Sequence, residues 1–174
     1  MQRLILIFLI PMILFAHIDA ELVRIEGRLF SKMIFLDYDY KKKLLNGEVV
    51  VYILYDSSEH KVIAQEFVEY LNNKKILGTK IRAKEFNINN LKEELPTAYI
   101  TILEPENMKK IVNKLISQRR LIFTSDKSLI SYAMASIYLG SRIVPIINPR
   151  LIRLSNIELR PIIFKVAKVY DDED

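Results

Sequence analysis

The spacing of apolar positions changes from stretch to stretch along the chain, and each change predicts an element. Leu22, Ile25, Leu29, Met33 and Leu36 recur at helical spacing, which predicts a helix over Glu21 to Leu36 with Gly27 as its weak point. Val49 to Tyr55 reads VVVYILY, a continuous β-branched run of the kind found in a parallel strand buried on both faces. A helix over Glu59 to Asn73 follows, burying Ala64, Phe67, Val68 and Leu71, with Asp56-Ser57-Ser58-Glu59 as a capping-box variant at its start. From Gly78 to Phe86 the cations Lys80, Arg82 and Lys84 alternate with Ile81 and Ala83. That period of two predicts an edge strand with one wet face.

Asn89 to Leu95 reads as a helical turn ended by Pro96, and Ala98 to Leu103 as the next strand. Pro105 suits the first turn of a helix carrying the apolar stripe Met108, Ile111, Val112, Leu115 and Ile116. Leu121 to Thr124 is a short buried strand that stops at Ser125-Asp126 and delivers the chain to a helical run, Lys127 to Met134. The other elements can be arranged around this strand–turn–helix unit. Helices and strands alternate up to this point, which predicts a mostly parallel sheet with right-handed crossovers and helices on both faces, an α/β sandwich.

After Met134 the rhythm changes. Ser136 to Leu139 and Ile143 to Ile147 predict a hairpin around Gly140-Ser141-Arg142, and Pro145 marks its second strand as an edge. Asn148-Pro149 opens a short helix, Arg150 to Leu154, and a closing helix is expected over Pro161 to Tyr170. That helix has Ile162, Val166 and Val169 on one side and Ile163, Ala167 and Tyr170 on another. A helix apolar on most of its circumference is either well buried or docks something, and burial is the default expectation.

Composition narrows the class. A chain of 174 residues that is 51% hydrophobic with only 4 Gly and 6 Pro can bury a core and suits one domain without linkers or repeats. The net charge of +5 comes from scattered pairs and one triplet of cations, so no nucleic-acid surface is expected. Arg3 precedes the apolar run Leu4 to Ala16. A helix over that run would be about 20 Å long, short of the roughly 30 Å hydrocarbon core of a bilayer, so residues 1–20 read as a secretory signal peptide. The alternative for this segment is an uncleaved anchor. The expected organisation is a signal over 1–20, one domain over 21–170 and an acidic tail over 171–174, with export as the destination. With no cysteine, neither a lipid-anchored junction nor a disulfide framework is expected.

Candidate chemistry is sparse. Asp56, Ser57, Ser58 and His60 follow one predicted buried strand, and Thr124, Ser125 and Asp126 follow another, which places both sets at the carboxyl edge of the sheet where α/β proteins bind ligands. The carboxylates occupy the place an anion would take, so helix capping is the favoured reading of these turns. With four glycines and no phosphate-loop or dinucleotide motif, nucleotide binding is not expected. His17 and His60 are the only histidines. His60 with Glu59 and Asp56 lacks a second histidine for a metal, and Ser57 or Ser58 beside His60 lacks an evident orienting group for nucleophilic catalysis. No catalytic residue, metal or cofactor is therefore expected. Phe35, Tyr38 and Tyr40 form an aromatic cluster that suits a lid over the core more readily than a binding rim.

Taken together, Thr124-Ser125-Asp126, Gly140, the strand Ile143 to Asn148 and the closing Ile162-Ile163-Phe164-Lys165-Val166-Ala167 resemble the YfiR/HmsC family of periplasmic proteins. The likeness runs over nearly the whole chain after residue 20 and is sharpest from Leu121 to Lys168. It implies an α/β sandwich that tends to dimerise, and a non-enzymatic repressor that holds the periplasmic domain of an inner-membrane diguanylate cyclase and so restrains cyclic-di-GMP synthesis and biofilm formation. Redox control by disulfides, used by members of that family, cannot apply to a chain without cysteine. The implied partner surface is the hairpin and closing helix, at Tyr138, Ile143, Ile162, Val166 and Val169. The alternative expectation is a small-ligand-binding module using the carboxyl-edge loops at Asp56, Ser57, Ser58, His60, Thr124, Ser125 and Asp126.

Overall fold

The structure, a computed structural model, describes residues 20–91 and 94–171. The expected signal segment lies outside the described residues except for Ala20, and so does the acidic tail after Asp171. Helix α1 (20–34) leads to β1 (Val49–Tyr55), α2 (Ser58–Asn72), β2 (Lys75–Ile76) and β3 (Thr79–Asn87). Then come β4 (Ala98–Ile102), α3 (Pro105–Ser117), β5 (Leu121–Thr124), a 3-10 helix at Lys127–Tyr132 and the hairpin of β6 (Ala135–Leu139) and β7 (Ile143–Ile147). The chain ends in α4 (Pro149–Leu154), α5 (Ile162–Val166) and β8 (Lys168–Val169). One eight-stranded sheet runs in the order β2-β3-β1-β4-β5-β6-β7-β8. Its body, β3-β1-β4-β5-β6, is parallel; β2 and the β6–β7 pair are antiparallel, and β8 is parallel to β7. The expected α/β fold with a mostly parallel sheet is the observed one.

The VVVYILY run sits where its composition demands. Val49 to Leu54 are all buried, so both faces of β1 need covering. From β1 the chain crosses through α2 to β3 on one side, and from β4 through α3 to β5 on the other. Right-handed crossovers in opposite directions put α2 and α3 on opposite faces. Helix α1 joins α2: Gly27 lies so close to Tyr70 that an added Cβ would come within 2.8 Å of its ring. The glycine read as a weak point is therefore the place where two helices approach. Register aligns Ile53, Ile100 and Phe123 on this face, and Phe30 of α1 stacks on Phe123 at 4.7 Å.

Several expectations need correction. The buried face of α1 centres on Val23, Glu26, Phe30, Met33 and Ile34, while Leu22, Ile25, Leu29 and Leu36 are only half-buried. β3 is not the edge. It pairs with β1 along its length and carries β2 outside it, joined by a two-residue turn in which Leu77 (φ 50°) and Gly78 (φ 80°) both take the left-handed conformation of a hairpin turn. The turn predicted over Asn89 to Leu95 is a 3-10 turn at Ile88–Asn90. The helix predicted over Lys127 to Met134 is the 3-10 helix, because Met134 already serves the sheet, its N–H bonding Ile122 O at 2.8 Å.

Pro145 does not put β7 at the edge either. The bond from Asn148 N to Met134 O fixes the hydrogen-bonding side of the β6–β7 pair, so the missing N–H of Pro145 faces the other way, towards β8. The β8 ladder begins one residue later, at Ile146 opposite Lys168. The closing helix is correspondingly shorter than expected. It stops at Val166, and the segment after it pairs with β7, Tyr170 N donating to Ile147 O at 2.7 Å.

The C-terminal segment also clamps α1. Tyr38 N bonds Glu158 O at 3.0 Å and Arg160 N bonds Leu36 O at 2.9 Å around an Asp37–Leu159 bridge. Asn148 caps α4 through Leu151 N and ties it to the 3-10 helix through Ile130 O. Phe30→Ala should leave a cavity between α1 and β5 and cost about 3–5 kcal/mol, measured as a fall in denaturant midpoint with little change in slope.

Candidate functional site

The strand order changes direction between β1 and β4, so the crevice beyond their carboxyl ends is the topological switch point where α/β sheets place ligands. The side chain of Asp56, just past β1, fills this place and is 4% exposed. Its Oδ2 accepts from the backbone N–H of Glu104, the N-cap of α3, at 2.7 Å and from Asn107 Nδ2 at 2.8 Å. Its Oδ1 lies 2.7 Å from His60 Nδ1, one turn into α2. Burial opposes ionisation of Asp56, but the bonds from Asn107, the Glu104 amide and His60 outweigh it and hold its pKa below the ordinary carboxylate value. One carboxylate therefore joins the end of β1 to the starts of both crossover helices.

The expected capping is present at this turn, but a different residue carries it. Asp56 does not cap its own helix; Ser57 does, accepting from His60 N at 3.1 Å. It also supplies the orienting group for His60 that the sequence did not reveal, with Asp56 and His60 four residues apart on one side of the chain. The other ring nitrogen, Nε2, has Glu104 at 3.7 Å. The groups within reach of His60 are thus two carboxylates, and Ser57 is engaged through its backbone cap.

The second turn, after β5, is built around a buried acid. Ser125 Oγ donates to Glu26 Oε2 at 2.5 Å, and Ser125 N bonds Thr101 O. Thr124 Oγ1 donates to Asp126 O, and Asp126 caps the 3-10 helix through Ser128 N. Glu26 is 2% exposed. Burial raises its pKa to about 7 against the lowering effect of the Ser125 bond. Its position, three residues after Val23 and four before Phe30, is the signal that could have found it: the helical face drawn through those two residues includes a glutamate. Of the seven residues singled out at this edge, Asp56, Ser57, Thr124, Ser125 and Asp126 make bonds within the protein through their side chains. His60 does so through its ring and Nδ1, and Ser58 begins α2.

The second surface lies at the other end of the sheet. Ile143, Ile162, Val166 and Val169 are 47–56% exposed and Tyr138 is half-buried. The default expectation of a buried closing helix fails: only Ile163 of α5 is buried, and Phe164 is exposed as well. A groove of about 290 Å³ runs between the hairpin and the segment from Lys165 to Lys168, with Tyr138, Arg142 and Val144 on its far wall. The aromatic cluster is a partial lid: Phe35 is buried against Tyr40, while Tyr38 is exposed under Arg160.

No protein-family model matches the chain, and no curated protein matches it. A solved structure of an ABC domain in complex with L-Trp from Streptococcus pneumonia is similar, with a TM-score of 0.55 and 16% identity over 80% of this chain and 61% of that one. At that identity the likeness shows the α/β fold alone, and this chain spans less than two thirds of its neighbour's length. Among the described residues no helix is long and apolar enough to cross a membrane.

The raised pKa of Glu26 has a definite sign. The folded state holds this proton more tightly than the unfolded chain does. The resulting stabilisation is complete below about pH 4.5 and is lost as pH rises through about 7, on the order of 3 kcal/mol in all. Glu26→Gln should match wild type in thermal stability at pH 5 and exceed it at pH 8. Equal melting temperatures at both pH values would remove the assignment.

Proposed function

We propose that this chain is a non-enzymatic regulatory protein of the periplasm, of the YfiR/HmsC kind. It binds the periplasmic domain of an inner-membrane diguanylate cyclase or similar sensor and restrains it. The observation that carries this reading is the concentration of apolar surface at the C-terminal edge. Of the ten large hydrophobic residues exposed among the described residues, seven lie between Leu139 and Val169. Scattered single exposures need no explanation, but a run of them on one hairpin, one short helix and one edge strand suits a partner.

The competing reading, a small-ligand module at the carboxyl edge, has less support. The side chains there bond to one another and to the backbone, and Asp56 fills the switch-point crevice that a ligand would use. Cells lacking the protein should show several-fold higher cyclic-di-GMP and more biofilm. Wild type should restore both, and Val166→Glu should fail to do so at equal abundance and with an unchanged circular dichroism spectrum, since an exposed substitution costs about 0.5 kcal/mol or less. Unchanged cyclic-di-GMP on deletion would refute the reading.

A further inference from the structure

Four cations, Lys127, Arg142, Lys165 and Lys168, surround Tyr138 at the groove between the hairpin and the end of α5. Lys168 Nζ lies 3.3 Å and Lys127 Nζ 5.4 Å from the Tyr138 ring centroid, and Arg142 and Lys165 line the groove with it. All four are exposed, and none is in an ion pair with a carboxylate among the described residues. From Leu139 to Tyr170 there are six Lys and Arg against one acid, Glu158. Asp171 lines a separate groove with Arg153 and Val169. Among the described residues the cations at Tyr138 are therefore not paired with carboxylates.

Exposed aliphatic side chains lie at the same edge, on the hairpin tip and on α5. Leu139 and Ile143 stand opposite each other at the tip of the hairpin, 50% and 47% exposed, one rung beyond Tyr138 and Val144 and so on the other face of the two-stranded tip, which presents aliphatic groups on one face and the cations on the other. On α5, Ile162 and Val166 are one turn apart and share a face with Lys165, both more than half exposed. A concave pocket for a small anion would bury its apolar walls. Here exposed aliphatic groups and exposed cations share one edge of the sheet, which is the combination a bilayer interface rewards: aliphatic side chains enter the acyl boundary while cations meet anionic headgroups.

We infer that this edge, the β6–β7 tip with Lys127, Arg142, Lys165 and Lys168 and the Ile162–Val166 stripe, docks on the surface of an anionic phospholipid bilayer. This does not rest on the proposed function, since the docking needs no protein partner.

The chain has no cysteine, so Ile143→Cys carries a single environment-sensitive fluorophore at the hairpin tip, and Glu59→Cys, on the exposed start of α2, carries the same label as a control. The apolar segment of residues 1–19 is common to both proteins, so the position of the label, not total binding, is the readout. With vesicles of phosphatidylglycerol and phosphatidylcholine, the label at 143 should shift to the blue and brighten several-fold while that at 59 stays unchanged. Pure phosphatidylcholine should give a much smaller change. Raising ionic strength from about 0.01 M to about 1 M, which shortens the screening length from about 30 Å to about 3 Å, should abolish the response. Arg142→Glu with Lys168→Glu should abolish it at low salt, and Val166→Ser should weaken it several-fold. No change at 143, an equal change at 59, or an equal response to neutral and anionic vesicles would overturn the inference. So would an equal response to soluble polyglutamate that Val166→Ser leaves intact, which would assign the cations to an acidic protein segment instead.

Discussion

A strand with apolar side chains on both faces must be covered twice, and the architecture follows from meeting that requirement for β1. Its six buried residues need a helix layer above and below, so the chain must leave β1 and β4 in opposite directions along the sheet. The same requirement brings α1 in beside α2, where Gly27 lets the helices meet and Phe30 completes the layer on Phe123. Burying such a strand removes several large side chains from water, each worth about 1.5–3 kcal/mol, and no polar interaction in the molecule is of comparable total size.

Opposite crossovers leave a crevice at the switch point, and in this protein the chain's own side chains occupy it. Asp56 accepts from the N-cap amide of α3, holds Asn107 and orients His60. At the neighbouring strand end, Ser125 meets Glu26 from α1. Both carboxyls tie helices to strand ends, but their environments push them apart. Asp56 has several donors and stays ionised, whereas Glu26 has one hydroxyl and a dry setting, and holds its proton towards neutral pH. The fold places its polar groups at this edge as internal braces.

The apolar and cationic character of the molecule gathers instead at the far end of the sheet. Pro145 cannot donate towards β8, the ladder there starts late, and β8 is two residues long. α5 is a short helix that buries Ile163 and leaves Ile162, Phe164 and Val166 exposed.

How much of this was legible depends on the range of the forces involved. The sequence by itself determined the elements whose side chains state their own environment: VVVYILY as a two-sided strand, Pro105 to Ser117 as an amphipathic helix, Leu121 to Thr124 as a buried strand, and the hairpin around Gly140. Local periodicity and turn chemistry suffice there, because each residue's preference depends on its near neighbours. Tertiary structure alone decided that Glu26 is buried, that Asp56 reaches 48 positions along the chain to Glu104, and that β3 lies inside β2. It also decided that KVAKVY ends as a strand instead of a helix. These outcomes turn on partners remote in sequence: the strand edge at Ile146 and Ile147, the amide of a helix N-cap, a face supplied by another element. Hydrogen-bond satisfaction and burial are properties of the assembled chain, and no window of the sequence contains both halves of the contact.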